Sequence, residues 1–241
     1  MISSLPAGWT EHRFDSLGST MDAARDMAES GAGDRTLVRA DVQSGGRGRY
    51  GRPWVSEAGN LYLTVILREA RPLSQCAQLS FAAALAVAES IPDDGVRLKW
   101  PNDVLIRDKK TAGILLEAGG ENTAPWILIG IGVNVAHFPT DTPYRATSLS
   151  AEDLPTDLDA LCRSLASGID RWRGIWHKQG APALHRAWMD HAKGVGEPIR
   201  VRLRERQIDG VFESLDSEGR LIVRTDGNER HAIAAGDVFF D

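Results

Sequence analysis

Gly45-Gly46-Arg47-Gly48-Arg49-Tyr50-Gly51-Arg52-Pro53-Trp54 is the stretch on which the fold turns. Its Gly46-x-Gly48-x-x-Gly51 spacing matches the GxGxxG dinucleotide fingerprint. That fingerprint works only where a strand runs into a helix whose N-terminus meets a pyrophosphate. Here Arg52-Pro53-Trp54 follows, and the next regular segment, residues 60–67 (NLYLTVIL), reads as another strand. A doubly wound nucleotide-binding fold is therefore excluded, and residues 43–54 are left as an irregular loop. Glycines let a backbone approach a ligand closely. Arginines bring permanent charge and forked donors suited to phosphate or carboxylate. Trp54 offers a flat face to a base. Taken alone, the same composition also describes a solvated surface loop.

Outward from this loop, Ser19-Thr20-Met21-Asp22 carries a capping residue and a first-turn acid. It predicts a helix from about residue 19 to 30, stopped at Gly31. Residues 36–40 read as a strand and 74–90 as an alanine-rich helix. Residues 96–100, 104–106, 111–118 and 126–135 read as successive strands, and 157–176 and 182–191 as helices. The expected fold class is α+β, a mixed sheet flanked by helices over residues 1–192. Residues 193–241 differ. Short alternating segments at 199–203, 210–215, 221–224, 230–233 and 238–240 predict a small β-barrel of about five strands. Such a unit is marginal alone and is expected to dock on the main domain.

The 241 residues are 42% hydrophobic and 25% charged, with a formal net charge of -5. This is the balance of a globular protein, and it lacks the positive field that holds nucleic acid in bulk. Cys76 and Cys162 do not make a disulfide framework. The first six residues show neither a basic nor an apolar leader region, and no apolar run nears the ~20 residues of a membrane span. The expected location is the cytoplasm. The six histidines show no metal-ligand spacing, so no metal residue is assigned.

Three more stretches carry chemistry. Lys99-Trp100-Pro101-Asn102-Asp103 ends a strand in a tight turn, leaving Asp103 to orient a lysine or a metal, or simply to close the turn. Lys109-Lys110-Thr111-Ala112-Gly113-Ile114-Leu115-Leu116-Glu117 starts a buried strand with two lysines, of which one could face a site. Gly113 would let a ligand lie against the backbone. Gly130-Ile131-Gly132-Val133-Asn134 places glycines in an apolar strand, which weakens it unless something packs close, and Asn134 has the groups to read an adenine edge. A bulged strand is the plainer reading of that stretch.

These pieces, in this order across residues 19–134, resemble the biotin–protein ligase family. The pattern is Ser-Thr at the first helix, then GRGRxGRxW, KWPND, K-x-A-G-I-L-x-E and GxGxN. Met21 stands where some members have Asn. The β unit at 193–241 resembles the family's SH3-like C-terminal barrel. The resemblance implies a catalytic domain like that of the class II aminoacyl-tRNA synthetases. It implies ATP and biotin as substrates, Mg²⁺ with the ATP, and a biotin carboxyl carrier domain as partner.

Arg49 and Lys110 are then expected to hold phosphate and carboxyl oxygens. Ser19, Thr20, Gln43, Gly45, Arg47 and Gly113 fall to biotin, and Arg47, Arg52, Trp54 and Asn134 to the nucleotide. Asp103 would orient the carrier lysine, with Glu117 a weaker candidate. Only about 18 residues precede the first motif, so DNA binding is not expected. A lipoate–protein ligase, an adenylate sensor and a biotin-binding module remain as alternatives, because the acyl pocket is not legible. An exposed sheet edge would serve a carrier strand or a second subunit of a homodimer equally.

Overall fold

The computed structural model describes residues 5–120 and 125–240. Residues 1–4, on which the reading of the leader partly rests, and residues 121–124 and 241 lie outside the described residues. In chain order the elements are β1 (Thr10–Leu17), α1 (Thr20–Glu29), β2 (Thr36–Gln43), β3 (Leu61–Leu67), α2 (Leu73–Cys76), α3 (Leu79–Glu89), β4 (Val96–Lys99), β5 (Asp103–Ile106), β6 (Lys109–Ala118) and β7 (Ile127–Val133). There follow α4 (Leu158–Gln179), α5 (Ala181–Asp190), β8 (Pro198–Arg202), β9 (Gln207–Leu215), β10 (Leu221–Arg224), β11 (Arg230–Ile233) and β12 (Asp237–Phe240). The first seven strands form one sheet in the order β1-β2-β3-β7-β6-β5-β4. Only the β1–β2 pair is parallel. The expected mixed sheet with flanking helices is what forms.

The period of two in the central strands explains the layering. Leu61, Leu63, Val65 and Leu67 of β3, and Ile127, Ile129, Ile131 and Val133 of β7, enter the core shared with α3, α4 and α5. The alternate residues Ile66 and Leu128 face the opposite side, where Met21, Ala24 and Ala28 of α1 cover them with Val38. On this α1 side β7 carries Gly130, where an added Cβ would stand 2.7 Å from Met21 Sδ. Strand β7 pairs with β3 and β6 without a register shift, so the glycine is not a bulge. It clears the sheet for Met21, the position where the family pattern varies.

Two local expectations change. The sequence offered no strand at residues 10–17, yet β1 forms there. Its burial is poor because it is an edge strand paired on one side only, so it lacks the apolar alternation by which strands are read. The single helix over 74–90 is broken into α2 and α3, and the chain crosses the break with short-range bonds from Gln78 N to Gln75 O and from Phe81 N to Gln78 O.

The last five strands form a second sheet, β11-β10-β9-β8-β12. It is not a closed barrel. The short 234–236 connection leads β12 away from β11 to pair with β8 at the far edge. This unit docks as expected. Lys193 N donates to Leu98 O of β4, Trp100 Nε1 donates to Gly219 O, Gln78 Nε2 donates to Glu218 O, and Val201 and Phe212 join the main core. Among the described residues no helix is long and apolar enough to cross a membrane.

Candidate active site

The sequence candidates gather on the α1 side of the sheet, around the loop after β2. Ser19 caps α1, its Oγ accepting from Met21 N. This fixes Thr20, whose backbone N–H and hydroxyl both donate to Gln43 Oε1, at 2.8 and 3.1 Å. Buried Thr64, from the α1-facing row of β3, donates to the Thr20 hydroxyl at 2.9 Å. Gln43 Nε2 reaches Ser56 Oγ at 3.0 Å, and Ser56 in turn donates to Trp54 O. Gly45 N bonds Gly18 O at 2.7 Å, and a Cβ on Gly46 would lie 2.6 Å from both Ser56 Oγ and Trp54 O. Here Gly46 is a steric requirement. Ser56 and Thr64 carry no motif and were not singled out from sequence.

Further along, the arginines diverge. Arg47 turns to α1, where it makes two 2.7 Å bonds to Asp22 and lies 3.8 Å from Glu117. Glu117 also pairs with Arg25. The Arg47 hydrogen bond holds the Asp22 carboxyl below its ordinary value. In this structure Arg47 anchors the loop, and Glu117 serves that anchor. Arg49 and Arg52 turn the other way. Arg49 Nη1 lies 3.4 Å from Asn102 Oδ1 and 3.3 Å from Gly236 O, and Arg52 grips the Asp237 carboxylate. Tyr50, at the tip with φ 59°, is exposed and lies beside both guanidinium groups.

Trp54 decides the floor. Gly113 and Gly132 are register partners on β6 and β7. Cβ atoms added to them would stand 2.9 and 2.7 Å from the Trp54 ring. The indole lies in the slot where the sequence placed a ligand against Gly113. Its Nε1 is buried without a hydrogen-bond partner among the described residues, as is the Thr111 hydroxyl. Unmade bonds of this kind cost about 1–3 kcal/mol each.

Of the two turn lysines, Lys110 faces the site. Its Nζ is 2.6 Å from Asp103 Oδ1 and lies 5.3 and 5.1 Å from the rings of Trp54 and Tyr144. Lys109 points to buried Glu152, which also takes Thr147 Oγ1 at 2.6 Å and Arg107 Nη1 at 2.7 Å. Lys109 first, then Thr147, bring the Glu152 carboxyl down to about 2. The 145–149 segment is thereby strapped to the site. Lys110 N donates to Arg145 O, Thr147 N to Lys110 O, and Leu149 N to Asn134 O. Asn134 is buried, its Nδ2 donating to Thr147 O at 3.0 Å, so its donor side is engaged within the protein. Tyr144 and Glu152 were not found from sequence, since nothing in the 137–153 stretch marks it as part of a site. No group of three His, Cys, Asp or Glu side chains suited to a metal occurs among the described residues.

The paired glycines under Trp54, the lysine held by Asp103 and the two arginines of the tethered loop are thus what the sequence candidates build. The Biotin/lipoate A/B protein ligase family matches residues 14–134, and the biotin protein ligase C-terminal domain matches residues 194–241. The chain belongs to this family. It is 37% identical over 215 residues to a biotin–[acetyl-CoA-carboxylase] ligase of Paracoccus denitrificans, covering 84% of this chain and 89% of that protein. The fold is that of the Aquifex aeolicus biotin protein ligase solved with biotin and ATP, with TM-score 0.82, 24% identity, and coverage of 96% of this chain and 99% of that one. The Leishmania major biotin protein ligase solved with biotinyl-5-AMP matches at TM-score 0.67 and 25% identity, over 94% of this chain and 98% of that one.

Proposed function

We infer that the protein is an ATP-dependent biotin–protein ligase. It activates biotin as biotinyl-5′-AMP and passes the biotinyl group to a lysine of a biotin carboxyl carrier domain. The observation that carries this reading is Lys110, held by Asp103 between Trp54 and Tyr144 at the edge of the Gly113–Gly132 slot.

A carboxylate must attack an α-phosphorus, anion against anion, so fixed positive charge is needed where the two meet. Lys110 and Arg49 supply it. The carboxylate oxygen bonds to phosphorus and pyrophosphate leaves. The carrier amine then attacks the carbonyl, and AMP leaves. Asp103 already holds one ammonium group, and its carboxylate suits the incoming lysine as well.

Ser19, Thr20 and Gln43 form a hydrogen-bond chain whose groups suit a ureido ring, and Gly45 lets the loop close on Gly18 beside it, while the room above Gly113 is taken by the Trp54 indole. The Trp54 ring lies against Gly113 and Gly132 with Lys110 Nζ 5.3 Å from it, which supports assigning Trp54 to the nucleotide together with Asn134. Arg52 completes the anion site, and Arg47 orders the loop. Mg²⁺ would accompany the ATP and offset the charge of its phosphates.

The same reading divides the chain into a catalytic unit (1–192) and a terminal unit (193–241), and places it in the cytoplasm without a DNA partner. The open edge of β1 would take a carrier strand or a second copy. Biotin-dependent exchange of pyrophosphate into ATP, run beside lipoate, tests the assignment. Exchange with biotin alone is the expected result, and exchange with lipoate alone would hand the site to the other branch of the family.

A further inference from the structure

The loop that carries Arg49 and Arg52 is tied to both units of the chain. Arg47 fastens its start to Asp22 of α1. Its tip is fastened to the second sheet, where Arg52 offers both terminal nitrogens to the two oxygens of Asp237, and Arg49 Nη1 lies 3.3 Å from Gly236 O. The receiving side is rigid. Asp237 is the first residue of β12 and pairs with Arg202 of β8. A Cβ on Gly236 would stand 3.0 Å from Val201 and 3.1 Å from Leu203, so this turn is pressed against β8. Asp237 is only 21% exposed, and Arg202 Nη2 lies 3.8 Å from its Oδ2.

We propose that Asp237 is a positioning residue for ATP. By holding Arg52, with Gly236 O steadying Arg49, it presets the two guanidinium groups, so that the second sheet forms one wall of the nucleotide site. The proposal rests on the assignment of Arg49 and Arg52 to the nucleotide. Its physical basis is conformational entropy. A loop with four glycines in ten residues has many states to lose, and long arginine side chains have more. A carboxylate that fixes them before ATP arrives lowers the cost of binding.

The sign of the effect separates this role from its opposite. On charge alone an aspartate near a triphosphate repels it, so removing Asp237 would improve ATP binding. If Asp237 positions the arginines, removing it weakens ATP binding instead. Burial pushes the Asp237 carboxyl up, but the Arg52 hydrogen bond and the charges of Arg52, Arg49 and Arg202 together outweigh that and keep it below its ordinary value, so the pair is charged at neutral pH.

The test uses the full chain as wild type, Asp237→Asn and Asp237→Glu. In pyrophosphate exchange, Asp237→Asn should raise KM for ATP by about tenfold, the scale of one charge-assisted hydrogen bond. KM for biotin should stay within about twofold, since Thr20 and Gln43 hold their own network, and Asp237→Glu should recover most of the loss. In a second arm, trypsin without ligands should cut the Arg49–Tyr50 bond faster in Asp237→Asn than in wild type. A fall or no change in KM for ATP, a parallel rise in both KM values with a lowered Tm, or unaltered cleavage would each overturn the proposal. Wild type that exchanges nothing with biotin would count against the ligase reading, and the cleavage arm would still decide whether Asp237 holds the loop.

Discussion

Lys110 owes its place to an irregularity in β6. The pairing with β5 runs Leu105–Lys110 and then Val104–Ala112, so Thr111 is an extra residue. It breaks the alternation and brings Lys110 to the Gly113 side, while adjacent Lys109 points away, and each lysine finds its own carboxylate, Asp103 and Glu152. Replacing Lys110 by Ala removes the cation from the slot, and Arg49→Ala removes the loop cation assigned to the phosphate. Each change is expected to slow adenylate formation by roughly 10²- to 10³-fold, the scale of losing one preorganised electrostatic donor. Single-turnover assays of biotinyl-AMP would read it, and near-normal rates in both variants would sink the assignment. The glycines make a different kind of claim. In Gly132→Ala the new Cβ meets the indole at 2.7 Å, where ring atoms cannot yield without the whole side chain moving. Trp54 should be expelled and KM for ATP should rise, with a shift in tryptophan fluorescence. Unchanged fluorescence and KM would show that the slot is not set by these contacts.

At the scale of elements, the strap from 145 to 153 holds β6 and β7 in the working arrangement, and Glu152 is its fastening. The carboxyl sits at about 2 in the folded protein against an ordinary 4.5. A depressed carboxylate contributes stability that is present above its unfolded value and is lost as pH falls toward its folded one. Urea unfolding of wild type and Glu152→Gln should therefore differ most at pH 6–7, with the gap closing as pH drops from about 4.5 toward 2. A gap independent of pH would mean that Glu152 acts by shape rather than charge. Helix α4 is held to α3 equally closely. A Cβ on Gly168 would stand 2.9 Å from the Ala86 Cβ, so Gly168→Val should destabilise by roughly 1–3 kcal/mol through overpacking.

For the whole molecule, the shared core implies joint unfolding. Ile199, Val201, Phe212 and Val223 of the second sheet belong to the same buried cluster as Leu63, Leu85 and Trp176. Calorimetry of the full chain should show one cooperative transition. Gly219 lies at the seam, with φ +77° and a virtual Cβ 2.6 Å from the Phe81 ring. Gly219→Val should loosen the docking and lower Tm. Because Asp237 rides on the same sheet, it should also raise KM for ATP. A lowered Tm with ATP affinity intact would separate docking from loop control.

The sequence was enough for the strand and helix pattern from α1 to β12, apart from β1 and the break between α2 and α3. It was also enough for the loop and for Lys110 as one of two lysines. Those readings rest on local period, capping and turn chemistry, which each segment carries within itself. Tertiary structure alone decided which lysine faces the slot, that Arg47 is an anchor, that Trp54 fills the space above Gly113 and Gly132, and that the second sheet stays open. It alone brought Thr64, Tyr144, Glu152 and Asp237 to the site. The reason is separation along the chain. Arg52 and Asp237 are 185 residues apart, and a contact across that distance leaves no mark on the local pattern of either residue. It exists only once two sheets have packed on one core.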